Sequence, residues 1–184
     1  VTIDSNERLQ FKSIPCNNLD LKNKVDYLKH DFIFEYVDYI KYLKEILKNF
    51  AKGFVFFIDY GHAESEYFNL NRSNGSFRFF NQHKLVDSPF NNIGNQDITA
   101  DVNFSDLYNL FYKSAFDLHL FTNQREMIVK TLNISNELSN NDRVRLNTLI
   151  HPNEMGEKFK VMIFGKKMEP ISFFNKFKDL SYQL

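Results

Sequence analysis

Cysteine, tryptophan and glycine are scarce in this sequence of 184 residues, which contains one cysteine, no tryptophan and six glycines. The single cysteine, Cys16, excludes an internal disulfide bond and a metal cluster held by cysteines alone. Nothing in the flanking Ile14, Pro15 and Asn17 would activate its thiol, so we interpret Cys16 as a small, partly buried hydrophobic residue. The cysteine content therefore favours a reducing compartment.

An excess of one charge and a long apolar segment are also missing. Basic and acidic residues both number 23, and the formal net charge of zero gives no support to a nucleic-acid partner. No stretch reaches the about 18 to 20 uninterrupted apolar residues of a membrane-spanning helix, so we expect no membrane insertion. No signal peptide opens the chain. Because residue 1 is Val1 and not methionine, we expect the native N-terminus to lie upstream, and targeting is not determined by this sequence.

What the sequence does contain is a helix pattern followed by a strand pattern. Between Phe32 and Phe50 the apolar residues recur every three or four positions, which predicts an amphipathic helix that ends in a basic turn before Gly53. The unbroken apolar run from Phe54 to Ile58 is typical of a strand buried on both faces, as in a parallel sheet covered by helices. With 43% hydrophobic residues, the chain can form one compact α/β core.

The same pattern returns later in the chain. Asn103 or Ser105 can cap a helix that precedes a strand from Leu118 to Thr122. Gly156 introduces the last strand, and we expect it to adopt a backbone angle that only glycine accepts at low cost. The other predicted elements are a hairpin in Val1 to Ile14, a short helix with Asn123 and Glu126 as its capping box, a loop from Asn133 to Asn141, a helix from Arg143 to Ile150, a strand from Phe159 to Phe164 and a weakly amphipathic tail from Met168 to Leu184.

The residues that follow the first predicted strand are candidates for a site, because ligands of open α/β sheets bind beyond the carboxyl ends of the strands. Asp59, Tyr60 and Gly61 occupy this position. Asp59 is the strongest candidate, and the alternative is that it caps a turn that Gly61 permits. The next segment also carries residue types that bind metals, but we interpret it as a solvated loop and predict no metal site; these residues are His62, Glu64 and Glu66.

A second candidate is the segment from Gln96 to Phe104, in which polar and apolar residues alternate. In an extended conformation, the polar side chains would present carboxylates to a cavity and the apolar side chains would point into the core. The alternative is a strand edge with a polar face that ends in a helix cap. The polar set is Asp97, Thr99, Asp101 and Asn103, and the apolar set is Ile98, Val102 and Phe104.

Five blocks of the sequence together resemble a known family. In chain order they are GFVFFIDYG (53–61), GSFRFFNQH (75–83), DITADVNF after Gly94 (97–104), TNQREMIVKTLNI (122–134) and HPNEMGEKFKVM (151–162). Their order and spacing are similar to those of the MidA-like family of class I S-adenosylmethionine-dependent methyltransferases, which includes a mitochondrial complex I assembly methyltransferase. The resemblance covers roughly residues 1 to 165, which correspond to the second half of such a protein.

The resemblance implies a fold and a cofactor. The fold would be α/β, the C-terminal half of a Rossmann-like class I methyltransferase sheet, with residues 54–59, 118–122 and 159–164 as strands five, six and an antiparallel strand seven. Residues 1–167 would belong to this domain and residues 168–184 would form a tail. The cofactor would be S-adenosylmethionine. Its glycine-rich loop and acidic ribose ligand would lie upstream of Val1, in the N-terminal half of the same protein, which would be the partner of this chain.

The resemblance also implies a protein methyltransferase that modifies an arginine, with a respiratory complex I subunit as the possible protein substrate. Such a protein would lie in the bacterial cytoplasm or the mitochondrial matrix. Bidentate carboxylates are well suited to hold and orient a guanidinium group. The candidates for this role are Asp59, Asp97 and Asp101, and those for further substrate contacts are Tyr60, Thr99, Gln124 and His83.

Four residues depart from the family pattern. Ser76 replaces a threonine, Asp101 a histidine, Asn103 an aspartate and Asn133 a glycine. The exchanges at positions 101 and 103 change the charge of the second candidate segment. They favour an alternative in which the protein is a catalytically idle methyltransferase fold that acts as an assembly or binding partner. A further alternative is an independent α/β binding module whose resemblance to the family is accidental.

Overall fold

The computed structural model of the chain describes residues 1–15, 17–26, 28, 33, 39–132 and 139–184. The chain divides into two compact units, Val1–Glu35 with Leu70–Ala100 and Tyr36–Asn69 with Asp101–Leu184. Cys16 lies outside the described residues. In chain order the elements are β1 (Thr2–Ile3), β2 (Leu9–Gln10), α1 (Leu19–Val25), α2 (Tyr39–Lys48), β3 (Gly53–His62), α3 (Glu64–Tyr67), β4 (Arg78–Asn81), β5 (Lys84–Val86), β6 (Asp97–Thr99), β7 (Val102–Asn103), α4 (Phe104–Lys113), β8 (Asp117–Asn123), α5 (Gln124–Thr131), α6 (Asn140–Ile150) and β9 (Phe159–Lys166).

The first unit contains two small antiparallel sheets. The predicted N-terminal hairpin is confirmed, because β1 pairs with β2 and the Asp4 carboxylate accepts hydrogen bonds of 2.8 Å from the Asn6 and Arg8 amides. In the other sheet β4 lies between β5 and β6. The apolar periodicity of the sequence does not indicate α1, β4 or β5, which are short elements.

The second unit contains a mixed sheet in the strand order β7-β3-β9-β8. β9 runs antiparallel to both of its neighbours, β3 and β8. β7 adds a short parallel pairing to the end of β3, where Gly61 and His62 pair with Val102 and Asn103. The predicted α/β class is confirmed, and the last strand is antiparallel as expected.

Apolar side chains cover both faces of β9. On one face, Phe111 stacks on Phe164 with ring centroids 4.4 Å apart. On the other face, Val161 and Ile163 pack with Leu120. Burial of each such side chain stabilises the fold by about 1.5 to 3 kcal/mol relative to its exposed state, so β9 is the centre of the core.

β3 is less buried than its sequence suggests. Its residues Val55 and Phe57 pack against the core, whereas Phe56 and Ile58 on the opposite face are 54% and 55% exposed. The expectation that both faces are buried is therefore wrong within the described part of this unit. The reason is that the core cluster on the Phe56 face reaches β3 only at Phe54.

Capping side chains set the starts of α4, α5 and α6. Asn103 caps α4 and Asn123 caps α5, as the sequence predicts. α6 begins at Asn140, earlier than expected, because the Ser139 hydroxyl accepts a hydrogen bond from the amide of Asp142. Residues 133–138, which belong to the predicted loop before this helix, lie outside the described residues.

The first predicted helix is shorter in the structure. α2 spans Tyr39–Lys48, and residues 34–38 of the predicted helix lie outside the described part of the chain. Leu47 is buried in the core, and Leu43 and Phe50 pack against it. Gly53 is not the cap of this helix, because it is the first residue of β3 and has a φ angle of 141°.

Residues 168–184 are part of the second unit and pack against its sheet. Phe174 and Phe177 are buried in the same cluster as Val161 and Ile163 of β9. The amide of Leu180 donates a hydrogen bond of 2.7 Å to the carbonyl of Phe121, and the amide of Phe121 donates one of 3.3 Å to the Asp179 carboxylate. The tail is therefore attached to β8 by side chains and backbone.

Gly156 ends a wide helical turn between α6 and β9 (Pro152–Gly156). The expectation of a special backbone angle is wrong, because the positive φ angles of glycine in the described chain occur elsewhere. A Cβ atom at Gly156 would lie 2.3 Å from the carbonyl oxygen of Ile150. The glycine is needed for space, since the turn folds back onto the end of α6.

We predict that Gly156→Ala lowers the free energy of unfolding of the complete encoded protein by about 1 to 3 kcal/mol, because the added Cβ has no room beside the Ile150 carbonyl. Chemical denaturation measures this change. Gly94→Ala is the matched control, since a Cβ there meets no atom within 4 Å and its cost comes only from the φ angle of +84°. Equal denaturation midpoints for wild type and Gly156→Ala would contradict the steric explanation.

Candidate functional site

Three strand ends of the second unit meet at one edge of the sheet. Because β9 is antiparallel to β3 and β8, its first residues lie beside their carboxyl ends, and Phe159 pairs with Tyr60 while Lys160 pairs with Asn123. Ligands of open α/β sheets bind at such a position. We call this edge the strand-end rim and define it by Asp59, Tyr60, His62, Asn123 and Phe159.

Asp59 and Tyr60 lie on the rim as the sequence predicts. Asp59 is exposed, and its carboxylate accepts a hydrogen bond of 2.8 Å from the amide of Tyr60. β3 continues through Gly61 to His62, so Asp59 does not cap a turn. The Tyr60 ring packs on the Phe159 ring with centroids 3.9 Å apart and an angle of 41° between the ring planes, which places an aromatic pair on the rim.

Gly61 lets β7 approach the end of β3. A Cβ atom at this position would lie 2.2 Å from the carbonyl oxygen of Val102 and 2.8 Å from the ring of Phe104. Only glycine allows the two backbones to lie so close together. This approach brings the residue before β7, Asp101, to the last residue of β3, His62.

His62 and Asp101 form a pair that lies largely inside the second unit. Their Nε2 and Oδ2 atoms are 3.5 Å apart, and the side chains are 19% and 4% exposed. The interpretation of His62 as a solvated loop residue is wrong, because it belongs to β3 and is mostly buried. The sequence signal that points to it is its position directly after Asp59-Tyr60-Gly61.

Asn103 has a structural role next to this pair. Its Oδ1 atom accepts hydrogen bonds from the amides of Ser105 and Asp106, at 3.1 Å and 3.3 Å, and so caps α4. The Nδ2 atom is buried and has no hydrogen-bond partner among the described residues. The Ser105 hydroxyl accepts a hydrogen bond of 2.9 Å from the amide of Glu64, which ties the segment after β3 to α4.

Gln124 lies at the start of α5 and is only 9% exposed. Its side-chain amide donates a hydrogen bond of 2.9 Å to the carbonyl of Leu149, which connects α5 to α6. The structure therefore shows a packing role for this amide, and its predicted contact with substrate stays a prediction.

The other predicted site residues belong to the first unit. Asp97 is exposed on β6, and Thr99 on the same strand is partly buried. His83 is the second residue of the tight turn that connects β4 and β5, and its φ angle of 62° follows one of 50° at Gln82. The expectation that the apolar residues of this segment point into the core is wrong at Ile98, which is 58% exposed.

The alternating segment is divided between the two units. β6 pairs with β4 in the first unit, and β7 pairs with β3 in the second. The boundary between the two units lies between Ala100 and Asp101. Asp101 therefore belongs to the same unit as Asp59, and Asp97 belongs to the other unit.

The part of the chain that the structure describes contains neither a cluster of metal-binding side chains nor a membrane-spanning helix. In residues 1–15, 17–26, 28, 33, 39–132 and 139–184, no group of three or more His, Cys, Asp or Glu side chains could hold a metal ion. No helix in the same residues is long and apolar enough to cross a membrane.

A mixed α/β sheet with carboxylate, imidazole and aromatic side chains at its strand ends defines a ligand-binding fold of the Rossmann-like kind. Residues 1–122 match a family model described as "Putative S-adenosyl-L-methionine-dependent methyltransferase". The chain belongs to this methyltransferase family. No curated protein matches the chain.

Solved structures show the same relationship. Two crystal structures of COG1565 superfamily proteins from Burkholderia thailandensis, one native and one bound to S-adenosyl-homocysteine, are each 26% identical to this chain with a TM-score of 0.87. They match 100% of this chain but only 52% and 50% of their own chains, so this chain spans about half of their length. The predicted methyltransferase class and its cofactor are confirmed at the level of the family. The MidA-like assignment and the arginine acceptor remain predictions.

The glycines of this sequence do not have the spacing of a Rossmann-like cofactor loop. The cofactor loop of a Rossmann-like fold uses closely spaced glycines that let the backbone approach the ligand. The glycines here are isolated, and the space beside Gly61, Gly156 and Gly165 is filled by atoms of the chain itself.

We predict that Asn103→Asp leaves the free energy of unfolding of the complete protein within about 0.5 kcal/mol of wild type, because either side chain caps a helix well. Asn103→Ala should lower it by about 0.5 to 2 kcal/mol through loss of the cap. Thermal and chemical denaturation measure both variants. A loss with Asn103→Asp as large as that with Asn103→Ala would show that the buried Nδ2 atom, and not the cap, is the important group.

Proposed function

We propose that this chain forms the acceptor side of an S-adenosylmethionine-dependent protein methyltransferase. The observation that carries the proposal is the group of polar side chains at the carboxyl end of β3, where Asp59 is exposed and His62 is paired with Asp101. Family membership supports the type of reaction, and the position of the rim supports its location in the sheet.

The acceptor in this proposal is the guanidinium group of an arginine. An exposed carboxylate at Asp59 can accept two parallel N–H donors, and an aromatic ring of the rim, Tyr60 or Phe159, offers a face against which a guanidinium can stack. Asp97 and Thr99 stay candidates for substrate contact from the sequence pattern alone. A respiratory complex I subunit as substrate, and the bacterial cytoplasm or mitochondrial matrix as location, are further parts of the proposal.

The chain's own residues have separate tasks in this scheme. Asp59 would bind and orient the guanidinium, because a carboxylate fixes the plane of the group that it holds bidentately. Tyr60 would exclude water from one side of it. The bound cofactor would supply an electrophilic methyl group, and precise orientation of one acceptor nitrogen towards it is the main contribution that the protein can make.

The alternative is a catalytically idle fold that serves as an assembly or binding partner. It is favoured by the charge changes at positions 101 and 103 relative to the family pattern. Asn103 weakens this support, because its role as a helix cap is one that aspartate and asparagine perform equally well. Release of S-adenosylhomocysteine by the complete encoded protein, when supplied with an arginine acceptor, separates the two functions.

We predict that Asp59→Asn and Asp97→Ala each reduce methyl transfer by the complete protein at least about 100-fold with little change in its stability, because both residues are exposed. Transfer of a radiolabelled methyl group measures the effect. Asp87→Ala, which removes another exposed carboxylate of the first unit, is the control and should be as active as wild type. Wild-type turnover by either variant would remove that residue from the proposed site.

The proposed partner of this chain is the N-terminal half of the same protein. Residues 53–60 of β3 pair with β9 on one side, and in the described part of the second unit their other side has no strand. The exposed Phe56 and Ile58 lie on the face of this strand. A free edge next to an apolar face is a surface to which another strand and a covering helix can attach.

We predict that this chain expressed alone self-associates and shows no S-adenosylmethionine isotherm in calorimetry, and that both properties change when the N-terminal half is supplied. Replacing Phe56 and Ile58 by lysine should reduce self-association and weaken capture of that half, because charge on this face opposes burial. Val144→Lys, at a residue 68% exposed on α6, is the control. A monodisperse monomer that binds the cofactor without the other half would contradict the prediction.

A further inference from the structure

The His62–Asp101 pair has the geometry of a positioned imidazole. The Nε2 atom of His62 lies 3.5 Å from Oδ2 of Asp101, and Asp101 is the more buried partner, with a side chain only 4% exposed. This distance is that of an ion-pair contact and is longer than an ordinary hydrogen bond, so the carboxylate favours the tautomer with its proton on Nε2, which leaves the other nitrogen as an acceptor. The second nitrogen, Nδ1, has no hydrogen-bond partner among the described residues.

Three neighbouring features hold this pair in place. Gly61 allows β7 to pair with the end of β3, so Asp101 is fixed by the backbone that follows it. Asn103 anchors the other end of β7 by capping α4. The Ser105 hydroxyl accepts the hydrogen bond from the Glu64 amide and fixes the segment that follows His62. The imidazole therefore belongs to a residue of β3 that pairs with β7, and not to a loop.

The pair also lies on the rim. His62 belongs to the same strand end as Asp59 and Tyr60, and its side chain keeps 19% of its surface exposed. A residue that is fixed by a buried partner and still reaches solvent can exchange a proton with a ligand bound at the rim. By contrast, Asp59 is exposed and is better suited to bind a cation than to accept its proton.

We propose that His62 accepts the proton that the acceptor nitrogen loses during methyl transfer, with Asp101 as its positioning residue. This assignment rests on the proposed methyltransferase function. As the nitrogen bonds to the methyl carbon and the carbon–sulfur bond breaks, its N–H bond becomes acidic. The N–H bond then breaks, its electron pair stays on the acceptor nitrogen, and the proton binds Nδ1 of His62 before it passes to water. No oxidant, metal or further reactant is needed for this step.

The geometric part of the proposal is tested by nitrogen NMR of the complete encoded protein with labelled histidine. We expect neutral His62 to carry its proton on Nε2 in the wild type, and Asp101→Asn to produce a mixture of tautomers. Asp59→Asn is the control and should leave the tautomer of His62 unchanged. A wild-type His62 with its proton on Nδ1, or with no tautomer preference, would overturn the proposal whether or not the protein is active.

The chemical part is tested by methyl transfer to an arginine–glycine peptide as the guanidinium probe. We expect His62→Ala to lower kcat by about 10²- to 10⁴-fold with little change in KM, the range typical of loss of a general base, and added imidazole to restore part of the rate. Imidazole should not restore Asp59→Ala, whose loss is in binding. Asp101→Asn should give a smaller loss in kcat than His62→Ala.

The outcomes separate this proposal from the function on which it rests. A wild type that methylates the probe together with an equally active His62→Ala variant would overturn the role of His62 and leave the methyltransferase function intact. A wild type that does not methylate guanidinium probes counts against the arginine acceptor, and the tautomer of His62 then decides whether Asp101 positions the imidazole.

Discussion

The approach of β7 to the end of β3 at Gly61 is the contact on which the candidate site of the second unit depends. The carbonyl oxygen of Val102 lies 2.2 Å from the place that a Cβ atom of Gly61 would occupy, so the two strands can pair there only because the side chain is missing. The pairing places Asp101 next to His62, and α4 begins directly after it at the Asn103 cap. Because α4 contributes buried phenylalanines to the core, the same contact couples the site to the packing of the sheet.

Features that depend on neighbouring residues could be predicted from the sequence. A helix cap needs only a side chain and the amides two or three positions later, and Asn103 and Asn123 are recognisable as caps for this reason. The strand from Phe159 was recognisable because four apolar residues in a row, Val161 to Phe164, follow Lys160. Asp59 was predicted at a strand end because the apolar run from Phe54 ends at Ile58, directly before it.

Features that depend on residues far apart in the chain could not be predicted in this way. The environment of His62 is set by Asp101, which no local pattern connects to it. Gly156 is constrained by the carbonyl of Ile150 and not by its own backbone angles, and a sequence does not show such a clash. The alternation of polar and apolar residues predicts that Ile98 points into the core. The segment is divided between two units, and Ile98 is exposed.

Asp101 replaces a histidine of the family pattern, and in the structure it lies beside His62. The interpretation of this replacement therefore depends on His62. A buried carboxylate without a partner is costly, and the imidazole 3.5 Å away provides one. In stability alone such a pair has little advantage, since buried ion pairs can often be replaced by apolar residues of similar volume without loss of stability. A fold without a reaction could therefore fill positions 62 and 101 with apolar side chains. Under the proposed function, an imidazole and a carboxylate at a strand end that still reaches solvent serve chemistry at the rim, and this interpretation counts against the idle fold.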